Sequence, residues 1–226
     1  MRLAVMQPYL FPYIGYFKLI AATNKFVFYD DVNFIKNGWI NRNRLELSGS
    51  IKYFTIPLIK QSSFKKILNI ETAPHAVWRD SIRESIRQSY KKSPFFRQAI
   101  EIFDEATVSS NIAEVAKNSV KLSANYIGLE CNFVDSSTVY GNDTLSGQER
   151  ILDICSRELA ETYVNAPGGL ELYDLNEFAN RGISLEFLDP KLPIYSRGTG
   201  SEISGLSILD LLMYHSSSDI KKMING

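Results

Sequence analysis

Cysteine and histidine are the scarcest reactive residues in this 226-residue chain, two of each: Cys131, Cys155, His75 and His215. Two separated cysteines exclude a disulfide framework, and four such residues scattered along the chain do not make a four-ligand zinc site. No serine, cysteine or acid stands at an informative spacing from either histidine, so a Ser-His-Asp or Cys-His triad is not readable. Cys155 lies on the apolar stripe Ile151, Leu152, Ile154 and Leu159, and Cys131 opens a short apolar strand, so both read as packing residues. Net charge is also missing: 25 Lys and Arg offset 25 Asp and Glu. That balance argues against a broad footprint for nucleic acid or an anionic membrane surface. No apolar run approaches the ~20 residues of a membrane span. The apolar N-terminal stretch is cut by Gln7, Pro8 and Pro12 and lacks a small-residue cleavage signature. Neither an internal repeat nor a low-complexity tract is present. The expectation is a cytoplasmic protein with a small-molecule partner, no nucleic acid and no membrane span.

What is present is most concentrated in the first 44 residues. Apolar residues 3–6 stop at Gln7-Pro8, a helical pattern covers 14–22, and apolar residues 25–29 end on Asp30-Asp31. This is the start of a βαβ unit. Residues 43–47 and 52–57 flank Ser48-Gly49-Ser50 and read as a hairpin, expected to contribute a third strand to the sheet. Helical spacing then takes over, with Trp78, Ile82, Ile86 and Tyr90, an apolar stretch over 95–103, and Ile112, Val115, Val120, Leu122 and Tyr126. Pro94 and Asn111 serve as helix starts. After a strand over 131–134, the α/β alternation returns: helix 148–159, strand 162–165, a Pro167-Gly168-Gly169 loop, a short helix 175–179 and strand 184–188. A Pro-, Gly- and Ser-containing loop over 190–205 precedes an apolar helix at 206–214. The expected fold is α/β and Rossmann-like: a mostly parallel sheet in one domain, residues 1–226, with a helical insertion or lid at about 74–128.

In open α/β sheets, ligands bind beyond the carboxyl ends of the strands, where Gln7-Pro8-Tyr9 and Asp30-Asp31 both emerge. A strand-tip carboxylate there can bind Mg²⁺, orient a ribose hydroxyl or act as a general base; it can also simply cap a turn. The segment 36–44 gathers Lys36, Trp39, Asn41, Arg42, Asn43 and Arg44, a mixture that suits a polar ligand. Arginine offers a planar fork to phosphate or carboxylate, asparagine both a donor and an acceptor, and tryptophan a flat face for a sugar or base. The dull alternative is a solvated turn with a core tryptophan. Tyr9, Tyr13, Gly15 and Tyr16 form a third group at a helix start, where backbone N–H groups favour an anion and a glycine permits close approach.

The segment Phe11-Pro12-Tyr13-Ile14-Gly15-Tyr16 faintly resembles the HxGH segment of nucleotidylyltransferases and pantothenate-synthetase-like ligases. Tyrosines stand where that motif has its two histidines, and tyrosine cannot supply their positive charge near neutral pH. Ser136-Ser137-Thr138 is similarly placed to the ISST motif of the same superfamily, with no basic residue before Arg150. Both resemblances bear on fold rather than reaction. A closer one runs through Met6-Gln7-Pro8-Tyr9-Leu10-Phe11-Pro12-Tyr13-Ile14-Gly15-Tyr16-Phe17, Phe26-Val27-Phe28-Tyr29-Asp30-Asp31-Val32 and Gly38-Trp39-Ile40-Asn41-Arg42-Asn43-Arg44. It continues more weakly through Ser93-Pro94-Phe95-Phe96, residues 149–155 and residues 206–212. Across essentially its whole length the chain resembles the WbqC-like family, which is associated with O-antigen and other bacterial surface-polysaccharide gene clusters. The resemblance implies a step on a sugar nucleotide or on a substituent attached to one.

The leading expectation is acyl or aminoacyl transfer to an amino sugar of a nucleotide-linked precursor, with an acyl-CoA, a carrier-linked acyl group or an ATP-activated acid as donor. Asp30 or Asp31 would be the base or a metal ligand. Lys36, Arg42 and Arg44 would hold phosphate or carboxylate, Tyr9 and Trp39 would stack, and Gln7, Asn41 and Asn43 would orient the ligand. Nucleotidylyl or adenylate chemistry with Mg²⁺ is one alternative. A non-catalytic binding or scaffold protein of the pathway is the other.

Overall fold

The computed structural model describes residues 1–189, 191–197 and 202–226, with Glu202 and Ile203 by backbone alone. Residues 190 and 198–201, part of the loop expected over 190–205, lie outside the described residues.

Five parallel strands form the central sheet: β1 (Arg2–Met6), β2 (Lys25–Phe28), β5 (Asn132–Val134), β6 (Thr162–Asn165) and β7 (Ser184–Phe187), in the order β5-β2-β1-β6-β7. The period-2 rule sorts their side chains cleanly. Ala4, Phe26, Phe28 and Val164 enter one apolar cluster, whereas Leu3, Val5, Val27 and Tyr163 enter a second cluster on the opposite face. Because both faces are covered, β1 and β2 read as short unbroken apolar runs, whereas the edge strand β7, Ser184-Leu185-Glu186-Phe187, alternates.

The first face is packed by α1 (Ile14–Ala21), α4 (Ile112–Ile127), α7 (Ile208–Tyr214) and α8 (Ser217–Asn225), with α3 (Phe96–Ala106) behind them. The second face is covered by α5 (Gly147–Arg157) and α6 (Leu175–Asn180). Helix α2 (His75–Tyr90) precedes α3, so the expected helical stretch between the hairpin and β5 is present. Asn111 caps α4 as its type predicts, its side-chain oxygen accepting from the N–H groups of Ala113 and Glu114, and Gly128 ends that helix at φ +78°.

The hairpin departs from expectation. β3 (Arg42–Leu47) and β4 (Ser50–Thr55) pair only with each other in a separate two-stranded sheet. Their register is antiparallel, and a parallel sheet gains strands through crossover connections rather than through a two-residue turn. The third strand on that side is β5 instead, reached after α2, α3 and α4. A second small ladder joins β8 (Tyr195–Ser196) to β9 (Glu202–Ile203).

Candidate functional site

The strand order locates the switch point of the sheet. From central β1 the chain crosses through α1 to β2 on one side, while β6 continues through α6 to β7 on the other. The direction of winding therefore switches between β1 and β6, and in such sheets ligands bind just beyond the carboxyl ends of the two diverging strands. Gln7-Pro8 leaves β1 there and Ala166-Pro167-Gly168-Gly169 leaves β6. Gln7 Oε1 is buried and has no hydrogen-bond partner. Buried polar atoms are nearly always satisfied, so this acceptor is one of the few among the described residues without a protein partner. The other groups here are tightly fixed. Tyr16 donates its hydroxyl to the Gln7 carbonyl at 2.8 Å, and the Asn165 carboxamide accepts from the Ala166 N–H at 2.8 Å. A Cβ on Gly169 would lie 2.2 Å from Asn165 Nδ2, so glycine is required for the β6 loop to fold over that amide.

Gly15 has a similar role, although the group that approaches it belongs to the protein. A Cβ there would stand 2.3 Å from Tyr13 Cε2, so the Tyr13 ring lies across the first turn of α1, whose start no side chain caps. Tyr9 packs against Tyr16 with ring centroids 5.6 Å apart. Gln7, Tyr9, Tyr13, Gly15 and Tyr16 thus form one group around the β1–α1 connection.

Asp30 and Asp31, at the end of β2, are both buried and both paired. Asp30 accepts from Lys117 Nζ at 3.1 Å and from Ser136 Oγ at 2.7 Å. Asp31 accepts from Arg150 Nη2 at 2.5 Å and from the Ser137 hydroxyl. Adjacent residues point to opposite sides of an extended chain, which is why one carboxylate reaches α4 and the other α5. Each pair joins a helix to the sheet just beyond the carboxyl end of β2. Asp30 also connects outward, because Ser136 Oγ lies 2.8 Å from the hydroxyl of exposed Thr138. Arg150 sits over the Tyr29 ring at 4.9 Å and donates to Asn142 at 2.9 Å.

The 36–44 segment divides into two groups. Asn41 and Asn43 are buried and turned toward backbone: Asn41 Nδ2 donates to Ile56 O at 2.9 Å, and Asn43 Nδ2 to Leu10 O and Phe11 O at 3.0 and 2.9 Å. The loop from Gln7 to Tyr13 runs through the interior and needs such partners for its peptide groups. Ser119 of α4 and Ser207 at the start of α7 supply two more, to Phe11 N–H and Phe11 O, both at 2.8 Å. Of the remaining residues, Arg42 and Arg44 lie on β3, and Lys36 and Trp39 in the loop before it. Arg42 stacks over Tyr53 at 4.4 Å and Arg44 over Trp39 at 5.6 Å; Trp39 is 36% exposed, and Lys36 is exposed. Arg44 donates to Gly205 O at 3.0 Å, and its buried Nε has no partner.

Composition gave little warning of Lys117, Arg150, Arg197 and Asp210, which are buried as Asp30 and Asp31 are. A signal existed for two of them: Lys117 interrupts an apolar helix face among Val115, Ala116 and Val120, and Asp210 an apolar run between Leu209 and Leu211. The cysteines are packing residues. Burial pushes the Cys155 thiol up to about 12 and raises that of Cys131. Among the described residues, no group of three or more His, Cys, Asp or Glu is placed to hold a metal ion, and no helix is long and apolar enough to cross a membrane.

A mostly parallel α/β sheet of this order defines a Rossmann-like protein. Residues 7–222 match the model of the WbqC-like protein family, and the chain belongs to that family. It is also similar to the uncharacterized protein Rv1507c of Mycobacterium tuberculosis, at 23% identity over 217 residues spanning 93% of this chain and 92% of that protein. No solved structure matches the chain significantly.

Proposed function

We propose that this protein is a cytoplasmic enzyme of bacterial surface-polysaccharide (O-antigen) synthesis that transfers an acyl or aminoacyl group to the amine of a nucleotide-linked amino sugar. The observation that carries the reading is the unpaired, buried Gln7 acceptor at the β1/β6 switch point, where α/β sheets bind nucleotides. In this reading the Gln7 carboxamide accepts from a ligand hydroxyl or amide. Asp30 is the base, and it works through hydroxyls. The attacking amine gives its proton to the Ser136–Thr138 pair, which passes one to Asp30 along the 2.7 Å contact, as the new C–N bond forms and the donor's thiol or phosphate leaves. Asp31, enclosed by Arg150 and Ser137, is a positioning residue that fixes the β2 end.

The Rossmann-like strand order with Tyr13-Ile14-Gly15-Tyr16 opening α1 supports a second reading, nucleotidylyl or adenylate transfer with Mg²⁺. Asp30 and Asp31 suit Mg²⁺ poorly. Lys117, Ser136, Arg150 and Ser137 already occupy all four of their oxygens, and a hard cation would have to displace them. The test is to incubate purified protein with amino-sugar nucleotides and acyl-CoA, carrier-linked or ATP-activated acids, and to follow the sugar nucleotide by mass spectrometry. A mass gain that Asp30→Asn and Ser136→Ala both abolish is expected. Pyrophosphate release without a mass gain would favour the second reading, and no product with any donor would reject the first.

A further inference from the structure

We infer that the cavity enclosed by the β3–β4 hairpin, α2 and α7 is a recognition site for a small organic ammonium ion. It measures about 260 Å³, just below the ~300–1,000 Å³ of typical small-molecule pockets, so its occupant is small. Its lining is almost entirely polar or aromatic: Glu46, Ser48, Gln88, Tyr90, Arg197 and Tyr214 carry the argument. It shares no lining residue with the group at the switch point, and the inference does not depend on how that group is used.

The charge balance selects the ligand. Arg197 is 3% exposed at its side chain, and each of its three nitrogens is engaged: Nε and Nη2 clasp fully buried Asp210, with Nε to Oδ1 at 3.0 Å, and Nη1 donates to Glu46 Oε2. Tyr90 and Tyr195 complete Asp210, donating at 2.7 and 2.8 Å. Burial, reinforced by Asp210, raises both phenols far above their ordinary value, so they remain neutral donors. One positive charge therefore faces two carboxylates. Asp210 is saturated by four donors, but Glu46 accepts only through Oε2, and no described residue donates to its Oε1. Glu46 is also a third exposed, so the free oxygen belongs to a group that solutes can reach.

An anionic ligand is disfavoured because the arginine fork that would receive it is already taken. An ammonium gains a charge-assisted bond to Glu46, in a cavity that the Tyr214 ring also lines. Hydroxyl and carboxamide groups of Ser48 and Gln88 suit a ligand that carries hydroxyls beside its amine. The wall beside Ser48 is strained in the way functional sites often are. Ser48 adopts φ +54° and Gly49 φ +77°, the type I′ turn in which Asn-Gly is favoured and serine is not.

The test titrates the full-length protein by isothermal calorimetry and saturation-transfer NMR with two matched pairs, ethanolamine against ethylene glycol and glucosamine against glucose. The expected result is saturable binding of the amines, with the neutral partners weaker by about tenfold or more, the equivalent of one charge-assisted contact. Glu46→Gln should remove the preference. Gln88→Lys places a competing cation at an exposed rim position and should weaken amine binding even if Glu46→Gln fails to fold. Equal binding of amine and neutral partner, no binding of either amine, or undiminished amine binding in a folded Glu46→Gln or in Gln88→Lys would each overturn the inference.

Discussion

Replacing Lys117 by methionine isolates the pairing that ties α4 to the end of β2. Lys117 Nζ donates to Asp30 Oδ2 at 3.1 Å and to Asp135 O at 2.9 Å, and it also meets Glu114 at 2.6 Å. The side chains of Lys117 and Asp30 are only 4% and 2% exposed. Methionine matches the volume but leaves Asp30 with Ser136 alone. Breaking a buried pair from one side costs about 3–5 kcal/mol, because the stranded charge has lost its compensation. That is a large share of the ~5–15 kcal/mol that holds a typical domain together. With a urea m-value of about 3 kcal/mol/M, the unfolding midpoint should fall by about 1–2 M at unchanged slope. Burial pulls the Lys117 ammonium down, but Glu114 and Asp30 outweigh it and hold it above 10.5. A raised lysine contributes fully below its unfolded value and loses that contribution as pH climbs through the folded one. The gap between wild type and variant is therefore complete at neutral pH and narrows above about pH 10.5. The double variant Lys117→Met/Asp30→Leu should recover most of the loss, since an apolar pair can replace a buried ionic one. A single-variant loss below about 1 kcal/mol, the range of exposed pairs, would refute this account.

Other outcomes follow from individual contacts. Asn43→Ala removes, among the described residues, the only side-chain donor to Leu10 O and one of two to Phe11 O, so a loss of about 1–3 kcal/mol is expected by thermal or urea unfolding. A change within 0.5 kcal/mol, about the effect of a plain surface substitution, would show that the Gln7–Tyr13 loop does not need it. Gly169→Ala should destabilise by about 1–3 kcal/mol because its Cβ would collide with Asn165 Nδ2, and Asn165→Ala should rescue it in a double-mutant cycle. Burial pushes the Glu158 carboxyl up, but hydrogen bonds from Lys25 and Tyr140 outweigh that and hold it below 4.5. Its contribution is therefore present above pH 4.5 and lost as pH falls through the lower folded value. Glu158→Gln should flatten the acid limb of the stability curve in that range, and an unchanged limb would count against the ion pair.

The apolar runs of β1, β2 and β6 and the periodic faces of α1–α5 were legible because strands buried on two faces and amphipathic helices leave different spacings. The capping asparagine at 111 was legible for the same chemical reason that it caps. The hairpin was seen, but its exclusion from the central sheet was not, since pairing partners are set by crossover topology that no local pattern encodes. Helix α8 escaped notice because its opening Ser216-Ser217-Ser218-Asp219 resembles a loop, although Ser216 and Asp219 are a helix-start pair. At the candidate site, the sequence pointed to the strand ends. It could not say that Asn41 and Asn43 turn inward to serve a buried loop. Nor could it show that Lys117 and Arg150, 87 and 119 residues away in sequence, arrive to pair Asp30 and Asp31.

The central claim is that the ligand sits beyond β1 and β6. Two-dimensional amide NMR of isotopically labelled protein, titrated with a nucleoside-diphosphate amino sugar, tests it most directly. Shifts concentrated at Gln7, Gly15, Asn165 and Gly169, and much weaker binding to Gln7→Leu of equal stability, are the expected result. Shifts confined to the hairpin cavity, or full affinity in Gln7→Leu, would contradict it.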